Sequence, residues 1–427
     1  MSMIKTIAHA WKIPDIRKKM VFTLLMLLVF RLGSNIPVPG IDRAVLGQLF
    51  DSSSAGVFGL MNMFSGGAFA NFTLFALSIT PYVTATIIFQ LLAIAIPSLE
   101  ALAREGTEGK KKIAQYTRYL TVILAFIQAI GLSVGLFRGA LISTDLFSIT
   151  VIVLALSAGT AFLMWLGEQI NENGIGNGIS LIIFAGIISS VPGGVAQTLV
   201  KYQAGEVSLI SILLFMVFAV IVIVGIVLIQ QGSRKIPVQY AKRVVGRKMY
   251  GGQSTHIPMK VNQAGVIPVI FAISLLQFPI TITYFWPNTG FSAFINKYLT
   301  SSGDPGFWIY GLFNIMLIMF FTYFYTAVTF NPMEVANNMK NNGGFVPGIR
   351  PGRPTVDYLT KVMTRITFVG AVFLAVIATL PLLLQQFTAL QIGFGGTSLL
   401  IVVGVGLDTM KQLEAQMVMR NYQGFLK

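Results

Sequence analysis

QGSRKIPVQYAKRVVGRKMYGGQSTHIPMKVNQA, residues 231–264, is the longest polar interruption in a very apolar chain. This basic loop holds seven Lys and Arg residues and no Asp or Glu. On each side of it lies an uncharged apolar run long enough to cross a bilayer. A positively charged loop between two spanning helices stays on the cytoplasmic side, so the loop predicts both a membrane protein and its orientation. The same charge would attract an acidic protein, RNA or anionic lipid, although setting the orientation explains it equally well.

The composition predicts an all-α polytopic membrane protein. Of the 427 residues, 55% are hydrophobic and only 11% are charged, and apolar runs recur along the whole length. Cysteine is absent, which excludes disulfides, thiol catalysis and cysteine-ligated metals. The two histidines, His9 and His256, lie far apart in the sequence. We therefore expect no metal site and no cofactor.

Hydropathy places ten spans along the chain. A signal peptide at the basic N-terminus is rejected, because no small-residue cleavage site follows the first apolar run and further spans come after it. The spans are predicted near residues 20–30, 71–96, 117–137, 148–167, 178–200, 208–230, 262–285, 307–330, 359–385 and 393–410. Between the first two, AGVFGLMNMFSGGAFA (55–70) is too short and too rich in glycine to cross, which favours a re-entrant or surface helix.

The distribution of charge supports this topology. With the N-terminus inside, ten spans return the C-terminus to the cytosol, and 25 of the 30 Lys and Arg residues then fall inside. Ten spans also divide into two halves of five, residues 1–205 and 206–427. An odd number of spans per half would insert the second half upside down relative to the first, as in inverted repeats.

No predicted span has Asp, Glu, Lys, Arg or His near its centre. Ion-coupled transporters, pumps and voltage sensors keep ionisable groups at this depth, and an intramembrane enzyme would need a catalytic constellation there. We therefore predict that the protein is not an enzyme. The polar groups that remain include Gln90, Gln128 and Asn262, which would seek partners on neighbouring helices. Simple interhelical adhesion explains each of them singly.

Five stretches are specific enough to indicate a family. They are ITPYVTATIIFQLL (79–92), GEQINENGIGNGISLIIFAGI (167–187), YAKRVVGRKMYGGQSTHIPMKVNQAGVIPVIFA (240–272), NPMEVANNMKNNGGFVPGIRPGRPT (331–355) and FGGTSLLIVVGVGLD (394–408). Through them the chain resembles the SecY family of protein-conducting channels over nearly its full length. The resemblance implies ten transmembrane helices in two inverted pseudosymmetric halves around an hourglass pore. It also implies a lateral gate between spans two and seven that releases transmembrane segments into lipid, while unfolded secretory precursors cross the cytoplasmic membrane.

The resemblance also assigns residues to the pore. A re-entrant plug is expected at about 56–69, with Gly56, Phe58, Leu60, Met61, Met63 and Phe64 as its residues. The pore ring is expected to consist of Val83, Ile87, Ile183, Ile187, Ile270 and Ile401. All six are β-branched aliphatics, which suit an apolar collar that yields to a passing chain and seals by dewetting when empty. The gate amides, Gln90, Gln128 and Asn262, are expected to form a polar cluster behind the lateral gate.

Partners follow from the resemblance and the charges. Two cytosolic docking loops, about 231–261 and 331–357, would engage the SecA motor ATPase or the ribosome. Their expected contact residues are Lys242, Arg243, Arg247, Lys248 and Arg350. The small membrane subunits SecE and SecG, signal peptides, unfolded preproteins and the lipid bilayer complete the expected partners. No nucleotide-binding motif is recognised, so the energy for transport would come from a partner.

Two other functions stay open at this point. A small-solute secondary transporter would need a charged or ion-coordinating midplane, which the spans lack. A membrane-embedded scaffold without a pore would share the same hydropathy, so only a conductance measurement would separate it from a channel.

Overall fold

The computed structural model describes residues 3–42, 45–46, 62, 65–240, 243–245, 248–250, 254–283, 285–286, 289–300, 305–387 and 396–424. These residues form a helical bundle with a small β-sheet at one end. The helices of the first half are α1 Met3–Lys12, α2 Pro14–Gly33, α3 Thr80–Ala95, α4 Pro97–Arg104, α5 Thr107–Ile130, α6 Leu146–Asn173 and α7 Gly178–Gln203. Those of the second half are α8 Leu209–Gln231, α9 Ile267–Thr283, α10 Gly290–Tyr298, α11 Gly306–Thr329, α12 Pro332–Asn341, α13 Arg353–Phe387 and α14 Gly396–Gly424.

A helix lies at each of the ten predicted spans, but not all of them meet a strict test for a membrane span. Among the described helices, six are continuous, long and apolar enough to cross a bilayer. A seventh candidate is the pair α3 and α4, which bends by 107° where the two helices meet. The helix α9 is apolar but shorter, with 17 residues. The fold is therefore the predicted helical one, and the count of ten crossings fits it.

The second predicted span begins later than hydropathy suggested. Residues 71–79 form turns, and α3 starts only at Thr80. Phe72 and Ser78 have positive φ angles of 41° and 52°, which no helix tolerates. Pro81 stands in the first turn of α3, where its missing N–H costs nothing and its fixed φ favours helix initiation. The proline predicted inside the span is in fact its start signal.

The acidic segment that follows the fourth predicted span continues the same helix. Helix α6 continues to Asn173, so Glu168 and Glu172 lie in its last turns. Glu168 accepts a hydrogen bond from Arg118 Nε of α5 at 2.7 Å. This ion pair is partly exposed and ties two neighbouring helices, and at such an exposed position it adds little stability.

The basic loop folds into β-structure that the sequence analysis did not predict. The central strand β1, Ser233–Tyr240, pairs antiparallel with β4, Ser254–Lys260, and at its end with β5, Gly344–Phe345. Between β1 and β4, a hairpin forms from β2, Arg243–Val245, and β3, Lys248–Tyr250. Alternate residues of β1, Ile236 and Val238, are buried against the α12–α13 region. The two predicted docking loops therefore share one sheet, whose end of the bundle is called the basic end below.

The largest hydrophobic cluster runs through the middle of the bundle and joins both halves. A second cluster lies toward the opposite end, called the far end below, around Phe72, Leu132 and Tyr310. The first half meets the second where α3 contacts α9 and where α7 contacts α14. These two contacts enclose the region in which the pore ring was predicted.

Candidate pore and gate

The six predicted ring residues come together in the central cluster. Val83 and Ile87 are contributed by α3, Ile183 and Ile187 by α7, Ile270 by α9 and Ile401 by α14. All are buried except Ile270, which is partly buried and packs against the same cluster. Residues more than 300 positions apart in the sequence thus form one contiguous apolar contact. The arrangement can exclude water from the axis of the bundle.

Two cavities lie on either side of this apolar contact. The one toward the basic end has a volume of about 200 Å³ and is lined by Tyr82, Thr86 and Gln90 among others. The one toward the far end is much smaller, about 30 Å³, and includes Ser78, Thr80 and Gln277 in its lining. Three ring residues line both cavities: Val83, Ile183 and Ile270. The ring is therefore the partition between two spaces, as at the waist of an hourglass.

The other ring members differ in their position relative to the cavities. Ile401 is fully buried and lines only the smaller cavity. Ile87 and Ile187 are buried in the central cluster and line neither cavity. In this conformation, four of the six side chains border a cavity and the other two are buried in the cluster around them.

The three gate amides are not joined by hydrogen bonds in the part of the chain that the structure describes. Gln90 is partly buried and lines the 200 Å³ cavity. Asn262 is buried and donates from Nδ2 to the carbonyl oxygen of Gly265 at 2.9 Å, while its Oδ1 has no partner. Gln128 is buried in α5 and lines neither the 200 Å³ cavity nor the larger cavity described below. The predicted polar cluster remains a prediction, and Asn262 carries the unpaired acceptor that such a cluster would use.

A third cavity, of about 400 Å³, opens at the basic end and was not predicted. Its lining includes Asn262 together with Gln230, Lys260, Asp408 and Lys411. It adjoins the 200 Å³ cavity, because Asn177, Ser180, Ile267 and Tyr325 line both. Gln230 is buried, and its Nε2 also lacks a partner. The path from the basic end to the ring is thus polar at its mouth and apolar at its waist.

The six predicted plug residues, 56, 58, 60, 61, 63 and 64, lie outside the described residues. The stretch that follows them, residues 65–79, is described and is called the cap segment here. Its Ala68, Phe75 and Ile79 are buried in the same cluster as the ring. The cap segment therefore packs directly onto the ring from the far end.

The predicted docking residues lie at the basic end or outside the described ranges. Lys242 and Arg247 are outside them, whereas Arg243 and Lys248 belong to the β2–β3 hairpin. Arg350 is exposed, and its backbone carbonyl accepts a hydrogen bond from Thr355 Oγ1 at 2.9 Å. Gly348 and Gly352 on either side have φ angles of 82° and 103°, which favour glycine. The turn is fixed by its backbone and presents the Arg350 side chain to solvent.

Among the described residues, no cluster of three or more His, Cys, Asp or Glu side chains could hold a metal ion. Sequence reasoning missed the sheet at the basic end and the 400 Å³ cavity. The alternation of Ile236 and Val238 in a short segment could have signalled a strand. The cavity has no such local signal, because its lining comes from α7, α8, α9, α11 and α14, from β4 and from the segment between β4 and α9.

Comparison with known proteins supports the resemblance. The family model described as SecY matches residues 73–410. The chain is 50% identical over 438 residues to the protein translocase subunit SecY of Halalkalibacterium halodurans and 48% identical over 437 residues to that of Bacillus subtilis. Each alignment covers 100% of both chains. Among solved structures, one described as a protein-conducting channel superimposes with a TM-score of 0.66 at 20% identity and covers 94% of this chain and 93% of its own.

A second solved structure has the same TM-score of 0.66, and its description states that the plug domain of SecY stabilises the closed state and maintains a membrane seal. It is 20% identical and covers 94% of this chain and 92% of its own. At this level of identity, the two structures establish the fold.

Proposed function

The chain belongs to the SecY family and is a protein-conducting channel, and from this premise we propose how its residues carry out transport. Unfolded secretory precursors enter from the basic end, pass the ring and leave at the far end of the bundle. Hydrophobic segments leave sideways into lipid between α3 and α9. About half of the residues are identical to those of protein translocase subunits over the full length of both chains, which supports this function and disfavours a small-solute transporter.

The observation that carries the proposal is the partition formed by Val83, Ile183 and Ile270. The cavity of about 200 Å³ on one side and that of about 30 Å³ on the other are separated by these aliphatic side chains. Branched hydrocarbon offers no hydrogen bond to water, so an empty constriction of this kind stays dry and blocks ions. An extended polypeptide would displace the side chains, and the ring would close behind it.

The lateral gate is assigned to the contact between α3 and α9. These helices belong to opposite halves and pack against each other beside the ring. The 200 Å³ cavity lies at this contact, with Val83 and Thr86 on α3 and Ile267 and Phe271 on α9. A signal peptide that inserts between the two helices would meet apolar side chains on both sides. Its hydrophobicity would then offset the cost of separating them.

Docking of a motor or ribosome is assigned to the basic end, which we place in the cytosol. The shared sheet of β1, β4 and β5 holds the two docking loops, about 231–261 and 331–357, together, so a partner could bind both at once. Arg350 projects from its turn as a charged, exposed contact. Related channels have been described in a ribosome–channel complex, which supports a ribosome as one partner. The family is one of channel subunits and not of enzymes, so a separate motor would have to supply the energy for transport. SecA would be that motor. SecE and SecG would complete the membrane complex.

A reconstituted transport assay tests this proposal. The chain would be purified with its small membrane subunits and placed in proteoliposomes with the motor ATPase, ATP and a radiolabelled precursor. We expect the precursor to become protected from added protease in an ATP-dependent manner, and the same precursor without its signal sequence to stay accessible. Equal accessibility of both precursors in correctly oriented vesicles would exclude a protein-conducting channel.

A further inference from the structure

Arg31, at the end of α2, contacts the cap segment and α7 together. Its Nη1 donates to the carbonyl oxygen of Gly66 at 2.8 Å and to Ser189 Oγ of α7 at 3.3 Å. A longer contact of 3.4 Å reaches Ser34 Oγ. The bond to Gly66 has the length of a charge-assisted hydrogen bond, which is roughly twice as strong as a neutral one. One guanidinium therefore links α2, α7 and the first turn of the cap segment.

The backbone at Gly66 lies directly on α7. Gly66 has a φ of +66°, and a Cβ added there would lie 2.8 Å from Ser189 Oγ and 3.1 Å from the Cα of Gly186. Ser189 Oγ donates to the Gly186 carbonyl oxygen at 2.8 Å, so its oxygen is free to accept from Arg31. Glycine adopts this conformation without strain and leaves room for Ser189 Oγ, whereas a larger side chain would need the residue at 189 to shift or change. The contact is therefore a built one, with the chain path, the acceptor and the donor all fitted to each other.

The cap segment is also braced by hydrogen bonds to Asn62 and within its own first turn. Asn62 Oδ1 accepts from the Ala70 N–H at 2.9 Å, and the Gly67 N–H donates to the Asn62 carbonyl oxygen at 2.8 Å. Ser65 Oγ accepts from the Phe69 N–H at 3.0 Å. Because these bonds hold the first turns together, a force that moves Gly66 is transmitted to Ala68, which packs in the cluster of the ring.

We propose that Arg31 is a clasp that positions the cap segment on the ring in the closed channel. The inference rests on the proposed function and adds to it a residue that directly follows the first predicted span, 20–30. Opening requires the Gly66 carbonyl to leave Arg31 and Ser189, and closing restores both contacts. Arg31 is thus a positioning residue, which acts on the ring through the cap segment.

A substitution series tests the clasp in planar bilayers. Arg31→Gln removes the positive charge, and we expect about a tenfold rise in resting ion conductance from the loss of one charge-assisted bond. Arg31→Lys keeps a charged donor and should restore much of the seal. The matched control is Arg138→Gln, which removes an exposed arginine at the far end. Conductance of Arg31→Gln equal to that of wild type and of Arg138→Gln would overturn the proposal.

A disulfide provides a second, independent measurement. The chain has no cysteine, so Gly66→Cys with Ser189→Cys introduces the only pair. The 2.8 Å between a Cβ at residue 66 and Ser189 Oγ is close to the roughly 3 Å from Cβ to the partner sulfur across a disulfide. Oxidation should then stop precursor transport and a reductant should restore it. Gly66→Cys alone, treated in the same way, controls for strain at the positive φ.

The outcomes distinguish the two levels of the argument. Absence of transport by the wild-type chain would overturn the proposed function and the clasp with it. Transport by wild type, together with undiminished transport by a fully crosslinked double variant, would overturn the clasp alone. Reversible arrest that follows the crosslinked fraction would establish it.

Discussion

Replacement of Ile401 by asparagine should open the seal at nearly constant side-chain size. Ile401 is fully buried and lines the 30 Å³ cavity beside Val83, Ile183 and Ile270. Loss of its apolar burial costs about 1.5–3 kcal/mol, and an unpaired buried amide costs about 1–3 kcal/mol. Both costs fall on the closed state. A cavity of this size has room for about one water, and a hydrogen bond between that water and the amide would recover part of the second cost.

A net shift of about 2–3 kcal/mol against the closed state follows once part of the lost packing is recovered by relaxation. Since about 1.4 kcal/mol is a factor of ten, the wetted or open fraction should rise about 30- to 150-fold. The assay is ion conductance of the purified complex in planar bilayers without precursor. The control is Ile221→Asn, the same change at a side chain that is 63% exposed on α8. Equal conductance of the two variants would show that Ile401 is packing and not part of a seal.

Three further predictions concern docking, the gate and packing. Arg350→Glu should leave the protein folded and inserted but block motor-driven secretion, because reversal of a charge at a buried partner contact costs about 2–5 kcal/mol. The control is Lys361→Glu on α13, and near-normal secretion by the Arg350 variant would exclude this role. Simultaneous replacement of the three gate amides by leucine should change the minimum hydrophobicity that a signal sequence needs to enter the lateral gate, since each interhelical amide hydrogen bond is worth about 0.6–2 kcal/mol. An unchanged minimum across a graded series of signal sequences would argue against a polar gate. Gly159→Ala should lower the thermal unfolding midpoint in detergent, because its Cβ would clash with the Leu74 carbonyl oxygen, and overpacking of this kind costs about 1–3 kcal/mol. The control, Gly193→Ala, has no atom within 4 Å of the new methyl group and should be neutral or slightly stabilising; equal midpoints for the two glycine variants would contradict the predicted contact.

Hydropathy predicted the positions of the helices because a bilayer imposes a length and a composition that the sequence must show. It failed at the start of α3, where residues 71–79 are apolar enough to be helical but are folded into turns by packing against the bundle. Hydropathy measures only transfer from water and does not distinguish an apolar turn from an apolar helix. Pro81 carried the missing information, since proline is favoured in the first turn of a helix and disfavoured in its interior.

The ring illustrates a different limit. Val83 and Ile401 are ordinary aliphatic residues in a chain that is 55% hydrophobic, and nothing local separates them from lipid-facing neighbours. Only the family resemblance selected them, and only the packing of α3, α7, α9 and α14 shows that they meet. Arg31 is the converse case. A charge near a span end was visible in the sequence, but its acceptor is a backbone carbonyl 35 positions away, which no residue pattern encodes.

Site-directed crosslinking of a precursor during transport tests the central claim most directly. Because the chain lacks cysteine, a single cysteine at Thr86 on α3 or Ile267 on α9 would carry a photocrosslinker to one defined place in the 200 Å³ cavity. A polar secretory precursor arrested in transit should crosslink at both positions, and its signal sequence should crosslink there first. Ile221 on α8, which is exposed on the outside of the bundle, should give no product with the polar region of the precursor. Crosslinking at Ile221 that equals or exceeds that at Thr86 and Ile267 would contradict a path through the bundle between α3 and α9.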